Sequence, residues 1–374
     1  MSEKKSIVVL CGGQSAEHEI SILSARNVVA ALKLNQFDVS VIYLSQQGAW
    51  FLVDFDKDDV DAQEEKRVVL VPGNPKAPFV LAHNMSQSIS VDCVIPMLHG
   101  TCGEDGSVQG LLDILNVPYV GSDVLGSTLC MQKHIAKRLL RFAGLPTTDW
   151  VRLDKNAMNQ FDYHVISREL GTTFFIKPSA LGSSVGISKV HNQQQYNAAV
   201  GNAFRYDNEV IAERFVDGRE IECSVLGNDE PVASLPGELI TTHEFYSYEA
   251  KYLDSNSLKI ITPADLPEAT VCTIQDLAIE AFKVLQCHGM ARVDFFVTEE
   301  QEIFINEVNT IPGFTSLSMY PKNWEASGLP FAELLASLIQ LSIARYRHQS
   351  ELSHHYLGPL ESSQDSLLLR KELE

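Results

Sequence analysis

The sequence predicts a mixed fold, a parallel α/β region followed by an α+β region, and three observations predict it. The first third alternates strand-like and helix-like stretches, and strand–helix–strand order implies parallel neighbours joined by crossovers. Beyond it, strands meet across short polar turns, Asp217-Gly218 in one case and Thr298–Gln301 in another, as in antiparallel hairpins. The length, 374 residues, divides into two or three domains with room for real cores.

Ser6–Cys11 is an apolar run closed by Gly12-Gly13, a buried-type strand. Apolar residues at helical spacing follow from Ile20 to Leu32, and Phe37–Leu44 returns as a strand. Asp54–Glu65 holds seven acidic residues and one lysine and reads as a solvated loop. Val91–Leu98 is a strand ending in HGTCGEDGS, followed by the helical VQGLLDILN and a short strand, PYVG. Ligands of parallel sheets collect beyond the carboxyl ends of the strands, where both GGQSAEHE and HGTCGEDG fall.

From Gly121 one helical stretch runs to Gly144-Leu145-Pro146, a glycine cap followed by proline. Thr172–Lys177 is a strand halted by Pro178 that opens into PSALGSSVG, with ISKV as the next strand. Val210–Phe215 and Ile221–Leu226 follow. Pro236 to Pro263 has no periodicity and is too long for an ordinary connection, which suggests a functional lid. A helix near Ile274–Leu285 precedes the strands Ala291–Val297 and Glu302–Asn309, and a last helix spans Phe331 to Arg345. The expected divisions are 1–121, 122–212 and 213–346, with a loosely ordered polar tail over 347–374.

Composition narrows the function. Hydrophobic residues make up 45% and charged residues 21%, as in ordinary folded soluble proteins. The 29 Lys and Arg against 48 Asp and Glu leave a formal charge of −19, which repels nucleic acid and anionic lipid. No apolar run approaches the roughly 18–20 residues that cross a bilayer. Ser6–Cys11 is also too short for a signal-peptide core. Seven cysteines with no CxxC pair argue against a disulfide framework or a zinc site and point to a reduced cytosolic enzyme.

The strongest chemical signal is the hairpin ARVDFFVTEEQEIFINEVN. A four-residue turn at Thr298–Gln301 would set Arg292 opposite Glu307 and Asp294 opposite Ile305. Alternation then puts Arg292, Asp294, Glu307 and Asn309 on one face, with Phe296, Ile303 and Ile305. Both faces look covered, and buried carboxylates are costly unless paired or metal-bound. Two carboxylates and an amide suit Mg²⁺ bridging phosphates, with Mn²⁺ a second choice. A structural salt bridge is the alternative. The loop after Lys177 offers a place for a phosphate, since glycines and small hydroxyls let backbone N–H groups approach an anion. It is not a Walker A loop, and alone it could equally be a flexible turn. Lys133, on the preceding helix, is as ambiguous by itself.

Together the motifs GGQSAEHEIS, HGTCGEDGSVQG, KPSALGSSVGISKV, FYSYEAKY, ARVDFF and INEVNTIPGFTSLSMYP resemble, in this order, those of the bacterial D-alanine–D-alanine ligases of the ATP-grasp superfamily. The resemblance runs from about Ser6 to Arg345. It implies a three-lobed ATP-grasp architecture, an N-terminal parallel α/β lobe and two α+β lobes that grip ATP between them. The implied reaction joins two D-alanines with ATP through an acyl phosphate, for peptidoglycan synthesis, in a cytoplasmic homodimer.

Residue by residue, the resemblance makes Asp294, Glu307 and Asn309 the ligands of two metal ions. It makes Lys133 and Lys177 the phosphate lysines, and Glu213 and Glu220 the carboxylates around adenine and ribose. The amides of Ser183-Ser184 would cover the transferring phosphate. Glu17 would meet the first D-alanine's ammonium, although a glutamate at a helix start is also favoured by the macrodipole. Ser183 and Tyr252 would link to Glu17 and close the lid, with Lys251 beside them on ATP. Arg292 and the Gly313 amide would form the oxyanion hole, and Ser318 with the Met319 amide would anchor the second carboxylate. His99 matches a histidine near the first substrate, yet a lone histidine is more often structural. Gln132 departs from the usual aspartate, which bears on local helix geometry. A D-alanyl-D-lactate ligase is the closest rival and is disfavoured by Tyr252. A non-catalytic nucleotide-binding module is disfavoured by the joint presence of Arg292, Asp294, Glu307 and Asn309.

Overall fold

A computed structural model describes residues 4–35, 37–55, 60–156, 161–241 and 258–353. Lys251, Tyr252, part of the acidic run and residues 354–374 lie outside the described residues.

The first sheet has the order Trp50–Val53, Asp38–Leu44, Ser6–Gly12, Cys93–Pro96. Ser6–Gly12 runs parallel to both of its neighbours. Ile7 to Cys11 are at most 1% exposed, which explains why the strand reads as an unbroken apolar run. Val8 and Leu10 pack with Leu112 and Leu115 near the Ser107–Ile114 helix. Ile7, Val9 and Cys11 pack on the other side with the His18–Leu34 helix and with Leu334, Leu335 and Leu338 of the Phe331–Ser350 helix. The chain's last described helix therefore returns under its first sheet. PYVG contributes only a single parallel bridge, Val94 to Tyr119.

A second, antiparallel sheet has the order Ser188–Val190, Phe174–Pro178, Glu209–Arg214, Trp150–Asp154. The third runs Leu258–Ile261, Gly237–Thr241, Arg219–Gly227, Gly289–Val297, Ile303–Asn309, with the Glu268–Val284 helix on one face. A small sheet of Val68–Leu70, Phe79–Leu81 and Asn84–Ile89 was not legible in the sequence. Among the described residues no single helix is long and apolar enough to cross a membrane.

Several expectations need correction. The stretch after Gly121 is two helices, Val124–Met131 and Lys133–Phe142, broken at Gln132, whose ψ of 87° is not helical. The predicted lid segment begins and ends as paired strands, Gly237–Thr241 against Leu258–Ile261. The last helix runs on to Ser350, so the start of the expected tail is helical.

The hairpin of Gly289–Val297 and Ile303–Asn309 is antiparallel, but its register differs from the expected one. Its connecting loop is one residue longer, with Gln301 in the left-handed region at φ 65°, so Val297 pairs with Ile303 and Phe295 with Ile305. The register then shifts again, pairing Asp294 with Glu307 and Arg292 with Asn309, with Asn306 as the extra residue of a β-bulge. One slip moves Ile303 and Ile305 into the apolar core, off the face expected for them. The second slip brings Glu307 and Asn309 back beside Asp294. Ile303–Asn309 is also the last strand of its sheet, where Ile305 N–H bonds Pro146 O at 2.9 Å and a bridge joins Ile305 to Thr147.

Candidate active site

The site lies in a cleft of about 270 Å³ between the second and third sheets. Its floor is the hairpin. Arg292 forks onto Asp294, Nε to Oδ1 and a terminal nitrogen to Oδ2, both at 2.7 Å, and its Nε also lies 2.9 Å from Glu222 Oε2. Burial works against the guanidinium charge, but Asp294 and Glu222 hold its pKa well above the ordinary value. Asn309 donates its amide to Asp294 Oδ2 at 2.9 Å. Lys133 Nζ stands 3.3 Å from Glu307 Oε2 and donates to Leu181 O at 2.6 Å.

These residues fit a hard divalent cation. Asp294 and Glu307 are cross-strand partners on one face, and Asn309 lies two residues beyond Glu307 on that face. Arg292 compensates Asp294 without a metal, so burial alone does not demand one, contrary to the cost argument from sequence. The donor chemistry still suits one. Carboxylate oxygens accept from more than one side, and the amide oxygen of Asn309 is a further hard donor.

Lys177, the last residue but one of the Phe174–Pro178 strand, pairs with Glu213 on the adjoining strand. Glu213, 2% exposed, also pairs with Lys137 and accepts from the Thr148 hydroxyl. Burial alone would raise its carboxyl pKa, but the two lysines hold it far below the usual range. Glu213 and Glu220 both line the cleft.

The Gly/Ser loop reaches from this cleft to the first lobe. Ser183 and Ser184 have φ of 49° and 58°, a conformation uncommon for non-glycine residues and sustained only by its surroundings. Ser183 Oγ donates to Glu17, the residue that opens the His18–Leu34 helix. Glu17 is held in a cradle in which a Cβ on Gly100 would stand 2.7 Å from its carboxylate and one on Gly182 3.1 Å. The predicted Glu17–Ser183 link is thus present, while its third member, Tyr252, lies outside the described residues, as does Lys251.

His99 is buried with both ring nitrogens engaged, Nδ1 with Ile311 O at 3.0 Å and Nε2 with the Ser24 hydroxyl at 3.2 Å. Burial lowers its pKa, with the Glu17 charge opposing. It braces the turn after the hairpin. In that turn Ser318 Oγ accepts the Thr315 N–H at 2.9 Å, and a Cβ on Gly313 would fall 2.7 Å from the same oxygen. Ser318 stands at the N-cap position of the Met319–Ala326 helix without a side-chain capping bond, so the Met319 amide belongs to its first turn, where N–H groups are open to an anion.

Glu104 was missed in the sequence. It accepts the N–H groups of Gly100 at 2.7 Å and Ile311 at 3.3 Å, and burial, then the Glu17 charge, pushes its pKa up to about 8. It stands in HGTCGEDG, singled out only as a loop. Lys137 was missed as well, because a lysine on an amphipathic helix reads as solvated.

A two-lobed clamp on a cleft carrying lysines, a Gly/Ser loop and paired carboxylates defines a ligase of the ATP-grasp class. Residues 6–122 match the family described as D-ala D-ala ligase N-terminus and residues 139–340 the one described as D-ala D-ala ligase C-terminus. The chain belongs to the D-alanine–D-alanine ligase family. It is 46% identical over 365 residues to the D-alanine–D-alanine ligase of Coxiella burnetii, covering 95% of this chain and 98% of that one. It is 43% identical over 358 residues to D-alanine–D-alanine ligase A of Salmonella typhimurium, covering 93% and 98%. A solved ligase structure from Coxiella burnetii superposes with a TM-score of 0.81 at 41% identity, covering 94% and 97%. VanG, a D-Ala:D-Ser ligase from Enterococcus faecalis, gives 0.79 at 36%, covering 91% and 100%.

Proposed function

We propose that the chain joins two D-alanines into D-alanyl-D-alanine for peptidoglycan synthesis, consuming ATP and passing through an acyl phosphate. Family membership supports the ligation. The observation that carries its assignment to this cleft is the Ser183–Glu17 bond, which ties the phosphate loop to the first lobe beside the hairpin.

In this reading Glu17 holds the first ammonium. Lys133 and Lys177 draw the ATP phosphates against the Ser183-Ser184 amides, with Glu213 and Glu220 along the nucleoside end of the cleft. The first D-alanine's carboxylate oxygen attacks the γ-phosphorus and ADP leaves. The second D-alanine, its carboxylate held by Ser318 and the Met319 amide, presents its amine to the acyl carbon. Negative charge then builds on the acyl oxygen beside Arg292 and the Gly313 N–H, before phosphate departs. Asp294, Glu307 and Asn309 would hold Mg²⁺, as two ions, and the metal would neutralise charge on the transferring phosphate. His99 supports the first subsite through Ile311 and Ser24. In this reading Lys251 serves ATP and Tyr252 the link to Glu17; both lie outside the described residues.

The same reading divides the chain at about residues 121 and 212 and makes it a cytoplasmic homodimer. Coupled ADP release with D-alanine, L-alanine, D-lactate and D-serine tests the function. Turnover with D-alanine alone, yielding the dipeptide, is expected. Preferred formation of a mixed product with D-serine or D-lactate would replace it.

A further inference from the structure

Lys137 sits one helical turn after Lys133 on the Lys133–Phe142 helix and is 1% exposed. Its ammonium donates to Thr148 Oγ1 at 2.7 Å and to the carbonyl of Asn306 at 3.0 Å, and it pairs with Glu213. An ammonium has three protons, and these partners account for all three. Thr148 turns its own proton to Glu213, so the cluster is internally consistent.

The Asn306 contact gives this buried cation a meaning beyond charge balance. Asn306 is the extra residue of the bulge, and that bulge returns Glu307 and Asn309 to the face of Asp294. Without it, the single slip of the outer hairpin would carry through and turn Glu307 away from Asp294. Bulge carbonyls lack a regular ladder partner, and Lys137 supplies one. The same ammonium fixes Glu213, which holds Lys177 through its other oxygen.

We infer that Lys137 is a positioning residue of the ligase, setting the bulge that aligns the metal-binding side chains with the phosphate-binding lysines. The inference rests on the proposed function for its chemistry, but its geometry stands apart from the substrate. It touches no reacting atom.

The test uses the full-length chain carrying Lys137→Met, which keeps the stem's length and removes the cation. Removal of an outer partner of a metal site costs about 10- to 100-fold in metal affinity or activity, so half-saturating Mg²⁺ is expected to rise about tenfold or more. Calorimetric Mg·ADP affinity should fall in parallel, with the KM for D-alanine nearly unchanged and Lys137→Arg recovering part of the loss. A lowered melting temperature with wild-type Mg²⁺ dependence and wild-type Mg·ADP affinity would overturn it. Should Lys137→Met not fold, Thr148→Val decides. It keeps every charge and removes one contact to the ammonium, and it must shift the same two quantities in the same direction, or the inference fails. If the wild type releases no ADP with D-alanine, the ligase reading falls, while the Mg·ADP titrations still decide the role of Lys137.

Discussion

Two buried carboxylate centres face the same cleft and are built differently. Glu213 is closed: Lys137, Lys177 and Thr148 converge on it from one helix, one strand and one loop. Asp294 is met by Arg292 and Asn309 from its own hairpin, and beside it Glu307 meets Lys133. The first centre locks elements of both lobes together. The second is a row of side chains on one sheet face, arranged by pairing and a bulge, where a cation can enter. The difference teaches that burial and charge pairing alone do not mark a metal site. A divalent cation needs oxygen donors gathered on one accessible face, and the second centre offers them.

Substitutions should separate the two centres. The largest effect on turnover is expected from Asp294→Asn, a loss of about a hundredfold or more in kcat, since charge aimed at the transferring phosphate is typically worth that much. Its melting temperature should fall only modestly, because Glu222 still pairs with Arg292. The largest effect on stability is expected from Glu213→Leu, which leaves two buried lysines without their counter-charge. Breaking a buried pair from one side costs about 3–5 kcal/mol, to be read from urea denaturation. If Glu213→Leu proved as stable as wild type, the contrast between the centres would collapse.

Ser183→Ala sharpens the comparison from outside it. Removing the hydroxyl that reaches Glu17 should raise the KM for the first D-alanine about ten- to a hundredfold, the scale of one charge-assisted hydrogen bond of about 1.5–3 kcal/mol, with little change in stability. Steady-state kinetics at saturating ATP would show it.

How much of this was legible follows from the hairpin. Residue types and alternation exposed the polar face, because two carboxylates, an arginine and an asparagine interrupt otherwise apolar strands. The register was not legible. A left-handed Gln301 lengthened the loop, and the bulge at Asn306 carries no compositional signal, so two unseen shifts were needed. Arg292, Asp294, Glu307 and Asn309 kept their shared face because two single-residue shifts restore parity, whereas Ile303 and Ile305, between the shifts, left it. Lys137 and Glu104 were hidden for a different reason: only the fold shows that Lys137 is buried and Glu104 half-buried, and composition reads them as solvent-facing. The break at Gln132, by contrast, fell where the resemblance implies an aspartate.

The smallest effect concerns Glu104. Its raised pKa means that the folded state keeps a proton the unfolded chain releases, so stability falls as pH rises from the ordinary carboxylate range through about 8. The slope is at most about 1.4 kcal/mol per pH unit. Glu104→Gln should lower stability outright, because its NH₂ would meet one of the backbone N–H groups, yet flatten this slope. Melting temperatures across pH 5.5 to 8.5, roughly the window between the two pKa values, would show it.

The central claim is that the face carrying Asp294, Glu307 and Asn309 holds the divalent cation that the nucleotide requires. Its most direct test is a Mg²⁺ titration of ADP release by wild type and Asp294→Asn at saturating ATP and D-alanine. The half-saturating Mg²⁺ concentration should rise about tenfold or more in the variant, beside its lower plateau. A lower plateau reached at the wild-type Mg²⁺ concentration would contradict the claim and leave Asp294 as no more than the partner of Arg292.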